Sequence, residues 1–316
     1  MPRFARRNSR FRSRKTSRKG RSHRKPARRS RRTPRRSRGR GMSVKAILNK
    51  TSRKKRNGML SWSNTNAQGQ AQTMAQSPLT LIGSASGNNI GLIHFRPTGM
   101  DLFDSGGEAA TVANQTMRTA STCFMRGLAE NIRIETSTGN PWFHRRICIT
   151  SRDVRFYSLQ VGDPSGVDTL AVASGVLLTS NGWQRLAANS NGIPNTQSVW
   201  LSLMFKGQQG RDWDDYITAP VDTNRVDLKY DKTSVYKSGN ERGVLIEKKM
   251  WHGMNKNLYY QDDEDGDDMA SGTTSVTDKR GMGNYHIFDF FSQGSSGSTS
   301  DLLKIRYTST MYWHEK

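Results

Sequence analysis

The basic residues of this chain are concentrated at its N-terminus. The 316 residues contain 50 Lys and Arg against 26 Asp and Glu, a formal charge of +24. Counted along the sequence, residues 1–57 hold 26 of the basic residues and no acidic residue, and the first carboxylate is Asp101. Residues 58–316 therefore hold 24 basic and 26 acidic residues, a balance of −2. Such a polycationic segment needs a polyanion as its partner, whereas the nearly neutral remainder can form a core.

Residues 1–57 are predicted to form a disordered arm, because their few apolar side chains cannot offset the entropy lost on ordering. Positions 3 to 40 contain 17 Arg and 3 Lys. Arg binds phosphate oxygens through a planar fork and also stacks on unpaired bases. We expect this binding to be independent of base sequence and sensitive to salt. The predicted nucleic-acid-binding residues are Arg3, Arg6, Arg7, Arg10, Arg12, Arg14, Lys15, Arg18, Lys19, Arg21, Arg24, Lys25, Arg28, Arg29, Arg31, Arg32, Arg35, Arg36, Arg38 and Arg40.

Two further features separate this arm from the rest of the chain. A second basic cluster is typical of a nuclear import signal and consists of Arg53, Lys54, Lys55 and Arg56. Residues 58–88 are rich in Ser, Asn, Gln, Thr and Gly and are predicted to be a flexible polar tether. Trp62 lies within this tether and suits either base stacking or a place in the core. Residues 89–316 are predicted to be one folded domain.

Apolar residues in the folded domain recur with a period of two, which indicates β-strands. The longest pattern is C-terminal, where one face is formed by Leu303, Ile305, Tyr307, Ser309, Met311 and Trp313. Further strands are predicted around 132–134 and 147–149 and at 90–95, 154–159, 199–205, 226–230, 244–251, 257–261 and 285–291. A short helix is predicted within 181–189. About ten strands without alternating helices favour an all-β antiparallel sandwich or barrel.

The sequence contains no motif that predicts catalysis or a cofactor. It has neither a phosphate-binding Gly-x-x-x-x-Gly-Lys-Ser/Thr loop nor a Gly-x-Ser-x-Gly elbow. The six histidines show no metal-ligand spacing, and His144 and His286 are interpreted as ordinary strand residues. Cys123 and Cys148 are predicted to be buried thiols rather than a disulfide. The longest apolar run, residues 170–178, is too short to cross a membrane, and no secretory signal is found.

An acidic run follows the predicted strand at 257–261. It does not fit an EF-hand, because the positions that should carry ligands hold Gln261 and Gly272. Two interpretations stay open: a solvated loop, or a loop that meets a basic patch or a divalent ion at a subunit contact. The residues in question are Asp262, Asp263, Asp265, Asp267 and Asp268.

An Arg-rich arm ahead of one large β-sandwich suits a capsid protein, in which the sandwich tiles a shell and the arm neutralises the genome. If a shell had about 60 copies, 26 arm charges each would total roughly 1,560, matching a genome on the order of 1.5–2 kilobases. That is the size of a small single-stranded DNA circle.

Three segments of the C-terminal half resemble capsid proteins of genomoviruses, the gemycircularvirus-like single-stranded DNA viruses, and more distantly coat proteins of geminiviruses. They read KMWHGMNKNLYY at 249–260, GNYHIFDFF at 283–291 and LLKIRY at 302–307. The resemblance implies an eight-stranded jelly roll, assembly into a small icosahedral shell, packaging of circular single-stranded DNA and entry into the host nucleus. The Cys and His region of geminivirus coat proteins that is discussed as a metal site has no counterpart here, so no metal ligand is carried over.

The favoured interpretation is therefore a non-enzymatic viral capsid protein. Its expected partners are viral single-stranded DNA, a host nuclear import receptor and further copies of itself, either about 60 or the number in a multiple-shell variant, with no membrane. Its expected locations are the virion and the host nucleus. One alternative is a cellular nucleic-acid-binding protein with a basic tail, such as a ribosomal or chromatin factor. The balance of −2 over residues 58–316 disfavours it, since such a protein would carry a second basic face on its folded domain. The other alternative is an enzyme with a basic targeting arm.

Overall fold

The computed structural model describes residues 42–84 and 90–316. The chain divides into two units, residues 1–46 and residues 47–316, and every strand named below belongs to the second. The folded unit thus begins before residue 58, and the predicted boundary of the arm at residue 57 is wrong. The cause is a long strand that starts at Arg53 and contributes inward-facing side chains from Lys55 onwards.

The described residues form three α-helices, two short 3₁₀ turns and fourteen strands. The helices are α1 (Val44–Thr51), α2 (Val167–Ser174) and α3 (Pro194–Met204), and the 3₁₀ turns are Val154–Phe156 and Ser190–Gly192. The strands are β1 (Arg53–Thr65), β2 (Ala71–Ala75), β3 (Leu79–Ile82), β4 (Gly91–Phe95), β5 (Thr122–Thr136), β6 (Trp142–Ser151), β7 (Leu177–Thr179), β8 (Gly182–Leu186), β9 (Asp227–Tyr236), β10 (Leu245–Tyr259), β11 (Asp263–Asp265), β12 (Asp268–Ala270), β13 (Asn284–Gln293) and β14 (Leu302–Glu315).

The strands build a large sheet, a small sheet and a separate hairpin. The large sheet has the order β10-β5-β14-β1-β8-β7, with β2 added to β1 and β3 added to β14. The small sheet has the order β4-β13-β6-β9, and β11 pairs only with β12. Neighbours are antiparallel throughout, except that β1 and β8 run parallel. The all-β prediction is confirmed.

The two sheets face each other across the core, and a third layer covers the small sheet. Met125 and Met311 of the large sheet share one apolar cluster with Cys148 and Ile287 of the small sheet. On the other side of the small sheet, Phe288 packs 5.7 Å from the ring of Trp200 in α3. Strand β13 is therefore buried at all of its positions. The outward face of the large sheet keeps its alternating exposed side chains and is the open surface of this unit.

Most predicted strands are confirmed by β4, β5, β6, β9, β10, β13 and β14. The C-terminal pattern is confirmed residue by residue, because the positions from Leu303 to Trp313 in the predicted phase are all buried. The segments predicted at 244–251 and 257–261 are joined in one strand, β10, which runs to Tyr259.

Four predictions about local structure are wrong. Residues 58–84 of the predicted tether form β1, β2 and β3, and residues 85–89 lie outside the described part. Residues 199–205 fall largely in α3, which begins at Pro194 and buries Thr196, Trp200 and Met204 at helical spacing. Residues 154–159 contain a 3₁₀ turn, and residues 181–189 contain β8 in place of a helix.

Two smaller predictions concern the cysteines and membranes. Cys123 and Cys148 are both free and buried, as predicted. Burial raises the pKa of the Cys148 thiol to about 12, so this group stays protonated near neutral pH. Among residues 42–84 and 90–316, no helix has the length and apolar character needed to cross a membrane.

Candidate nucleic-acid interface

The predicted nucleic-acid-binding residues and the predicted import signal lie in different parts of the chain. The twenty residues from Arg3 to Arg40 lie outside the described residues. The cluster Arg53, Lys54, Lys55 and Arg56 lies inside them and forms the first four residues of β1. In a strand, successive side chains point to opposite faces, so this cluster cannot act as one continuous basic surface.

Lys55 points into the protein and is only 4% exposed. Its ammonium lies 3.0 Å from the Glu315 carboxylate and donates to the carbonyl of Met117 at 2.8 Å and the hydroxyl of Thr119 at 2.9 Å. Burial alone would raise the pKa of Glu315, but hydrogen bonds from Thr119, Trp313 and Lys55 lower it overall. Lys55 therefore fastens β1 to the end of β14, and its assignment to an accessible import signal is wrong.

The outward residues of β1, β14, β5 and β10 form a surface that we call the basic face. Register places Lys54 opposite His314 and Arg56 opposite Tyr312. Its exposed cations are Lys54, Arg56, Arg126, Arg133, Lys249, Lys304 and Arg306, seven in number, against the two carboxylates Glu135 and Glu247. The difference, seven minus two, leaves a local charge of +5 on the open surface of the fold.

The charges of the basic face are distributed unevenly. Both carboxylates lie at one end, where Arg133 pairs with Glu135 at 2.7 Å and stands opposite Glu247 on β10. Within the described part of the chain, no carboxylate forms an ion pair with Lys54 or Arg56, nor with Arg126. This end of the face can therefore attract an anion without first breaking an internal pair.

His314 reports the electrostatic potential of that end. Its pKa is lowered by burial first and then by the positive charges of Arg126 and Lys54. Burial and these two cations together favour the neutral imidazole. An anion bound there would weaken this repulsion and raise the pKa of His314.

The acidic residues predicted as a subunit or ion contact separate into two groups. Asp262 is buried and forms a bidentate pair with Arg118, at 2.6 and 2.7 Å. Burial would raise the pKa of Asp262, but the hydrogen bonds from Arg118 lower it overall. Its role as an accessible contact is thus wrong. The others are exposed on the hairpin of β11 and β12, which turns at Gly266 with φ of 68°; they are Asp263, Asp265, Asp267 and Asp268.

Within the described residues, no group of three or more His, Cys, Asp and Glu side chains is arranged to hold a metal ion. The exposed part of the hairpin consequently offers negative charge rather than a ready coordination sphere.

A charged network that the sequence analysis missed lies buried between the two sheets. Arg146 of β6 pairs with Asp289 of β13 at 2.7 Å and with Glu130 of β5. Arg185 of β8 lies 2.9 Å from Glu130 and 3.6 Å from Asp289. Burial would raise the pKa of Glu130, but these two arginines lower it to about 2. Two cations and two anions thus balance inside the core and link the sheets.

The buried histidines extend the packing around this network. His144 lies 2.7 Å from Asp289 and 2.6 Å from the Tyr236 hydroxyl, and burial lowers its pKa despite the nearby carboxylate. His286 contacts His94 at 3.0 Å, and burial lowers the pKa of His94 to about 3. Both histidines singled out in the sequence therefore have buried protein partners.

Comparison with known proteins adds no assignment to this geometry. No family model matches the chain, and no curated protein matches it either.

Proposed function

We propose that this chain is a viral capsid protein of the genomovirus type, which assembles into a small icosahedral shell and packages circular single-stranded DNA. Its role is structural rather than enzymatic, and its locations are the virion and the host nucleus. The basic arm neutralises phosphates, and the folded unit is a jelly roll that tiles the shell.

The observation that carries this proposal is the strand order of the two sheets. Numbered in chain order, the eight principal strands are β1, β4, β5, β6, β9, β10, β13 and β14. The first, eighth, third and sixth are neighbours in the large sheet, and the second, seventh, fourth and fifth are neighbours in the small sheet. A jelly roll has this antiparallel order, because its two Greek keys fold a long hairpin over on itself. This fold is frequent in viral shells.

Charge arithmetic for the shorter arm still supports packaging. Residues 1–46 contain the twenty basic residues from Arg3 to Arg40 together with Lys45, which makes 21, and no carboxylate. With about 60 copies, they would neutralise on the order of 1,300 phosphates. The cations of the basic face can contribute further neutralisation if this face meets the nucleic acid.

Two contacts of the proposed virion follow from the surface of the folded unit. Recognition by a nuclear import receptor would use the arm together with the exposed Arg53, Lys54 and Arg56. The exposed carboxylates of the β11–β12 hairpin would meet a basic surface of a neighbouring subunit or a divalent cation.

Particle formation tests the proposal directly. The full chain would be expressed, treated with nuclease, and examined by size exclusion with light scattering, negative-stain microscopy and the absorbance ratio at 260 and 280 nm. Uniform closed particles that protect single-stranded DNA are the expected result. A salt-sensitive monomer on nucleic acid, with no particles across salt, pH and calcium, would overturn the proposal.

That second outcome would favour a cellular nucleic-acid-binding protein. The basic face is the observation in favour of this alternative, since a cellular binder would carry basic residues on its folded domain. The strand order and the absence of any acid before Asp101 favour the capsid.

A further inference from the structure

Trp251 is placed on the basic face with its indole open to solvent. It is 53% exposed and is the one aromatic residue among the exposed large hydrophobic side chains of residues 42–84 and 90–316. Removing an indole from water is favourable, so the exposed indole can contribute binding energy to a ligand that covers it. Trp251 belongs to β10 and stands opposite Ala129 of β5, which in turn stands opposite Thr310 of β14.

Two glycines give the indole its position. A Cβ atom at Gly127 would lie 2.7 Å from Cζ2 of Trp251, and a Cβ atom at Gly253 would lie 3.3 Å from its Nε1. Gly127 also has φ of 148°, a conformation that other residues rarely adopt. The indole ring therefore packs against Gly127 of β5 and Gly253 of β10, in the space left by their missing side chains. The ring centroids of Tyr312 and Trp251 are 5.9 Å apart, with 53° between the ring planes, so Tyr312 packs beside the indole.

A second aromatic pair and two cations continue the same surface. The ring centroids of Phe124 and His314 are 6.0 Å apart. His314 is paired with Phe124 on one side and with Lys54 on the other. Arg126 lies at the bulge between these rungs and donates to the Asn255 side chain. Trp251 is in register with Thr310 of β14, which lies four residues before His314. The two positions are therefore about 14 Å apart along the strand direction.

We propose that this end of the basic face is a stacking site for unpaired bases of a single-stranded nucleic acid. Trp251, supported by Tyr312, stacks on a base, while Lys54, Arg56 and Arg126 contact the flanking phosphates. We call these five residues the stacking site. The inference rests on the proposed function, because it adds a second contact to the nucleic acid that the arm would package.

The chemistry of the surface selects this ligand. An aromatic side chain that shares a sheet surface with cations lacking a carboxylate partner matches a polyanion that also exposes flat π-systems, and single strands have both. A duplex hides its bases within the stack and offers Trp251 no partner. A partner with a positive surface is disfavoured by the positive charge of the basic face.

The test compares two oligonucleotides that differ only in their bases. The full chain would be titrated with a fluorescent thymidine oligomer of about 12 nucleotides and with an abasic oligomer of the same length and charge. Ionic strength would be raised to about 0.5 M, which weakens the phosphate contacts of the arm. We expect the thymidine oligomer to bind about tenfold more tightly than the abasic oligomer, which is what one base–aromatic stack provides.

Substitutions assign this preference to the stacking site. Trp251→Ala should reduce the tenfold preference to less than about twofold, and Trp251→Phe should retain part of it, because a smaller ring still stacks. Leu245→Ala is the matched control, since Leu245 is also exposed on β10, at 58%. The inference is overturned if Trp251→Ala keeps the full preference, or if Leu245→Ala loses it equally. Circular dichroism of each variant separates a local loss from unfolding.

The failure of this inference and the failure of the proposed function give different results. Particles that protect DNA while Trp251→Ala keeps the base preference would refute the stacking site alone. A base preference that depends on Trp251, in a chain that forms no particles, would refute the capsid and keep the site.

Discussion

Two adjacent lysines of β1 allow a sharp test of the fold, because they have the same charge and opposite environments. Lys55→Met removes the ammonium that lies 3.0 Å from Glu315 and keeps most of the stem volume. The Glu315 carboxylate stays buried, although the Thr119 hydroxyl at 2.6 Å and the Trp313 indole at 2.7 Å still donate to it. We therefore expect a loss of about 3 kcal/mol in the free energy of unfolding, at the lower end for a broken buried pair.

Lys54→Met is the matched control, since Lys54 is exposed and has no carboxylate partner in the described part of the chain. Its effect should stay within about 0.5 kcal/mol. Thermal unfolding of both variants, monitored by circular dichroism at a salt concentration that prevents assembly, provides the measurement. A 3 kcal/mol loss corresponds to a fall in Tm of about 6–12 °C for a domain of this size. Equal Tm values for the two variants would refute the role of Lys55 as a buried anchor.

Three further predictions follow from the same structure. Asp289→Asn should cost about 3–5 kcal/mol, because it leaves two buried arginines without this carboxylate, whereas Asp268→Asn on the exposed hairpin should change little; urea unfolding measures both. The buried, neutral His94 has a pKa of about 3 in the folded state and about 6.5 in the unfolded state. Its contribution to stability is therefore complete above about pH 6.5 and falls by about 1.4 kcal/mol per pH unit as the pH drops towards 3. His94→Gln removes this titrating group, so the pH dependence of the unfolding free energy should become shallower by about 1.4 kcal/mol per pH unit. Deleting residues 1–46 should leave the fold intact and abolish DNA protection, whereas deleting residues 1–57 removes the start of β1 and should unfold the chain, as near-ultraviolet circular dichroism would show.

The strands that could be predicted from the sequence are those with one buried and one open face. β14 is the clearest, since its inward positions alternate with Lys304, Arg306 and Thr308 at the surface. α3 was missed because Val199, Leu201 and Leu203 alternate as in a strand. The additional apolar residues Trp200 and Met204, together with Pro194 at the start, were the helical signal.

The alternation of residues in β5 and β13 contains a sign of the buried network, because each strand has a carboxylate at an inward position. Glu130 has the same phase as Leu128 and Ile132, and Asp289 has that of Ile287 and Phe291. A carboxylate in an inward position predicts a buried partner. Its identity could not be predicted, because Arg146 and Arg185 reach these carboxylates only after two sheets have packed together.

The basic face could not be predicted from the sequence, and the balance of −2 over residues 58–316 pointed the wrong way. That sum adds together buried ion pairs, an acidic hairpin and the outward residues of the large sheet, which the fold places in separate regions. Pairs such as Arg118 with Asp262 neutralise each other inside the protein, and the exposed carboxylates of residues 263–268 gather on one hairpin. The outward residues of β5, β10 and β14, distant in sequence, are left with five cations and two anions, and Lys54 and Arg56 of β1, which lie outside that sum, add two more cations. Since charges act over about 8 Å at physiological salt, a ligand on this face responds to the local excess rather than to the net charge. Arm and face can then divide the recognition of a single strand, the arm by its phosphates and the face by its bases.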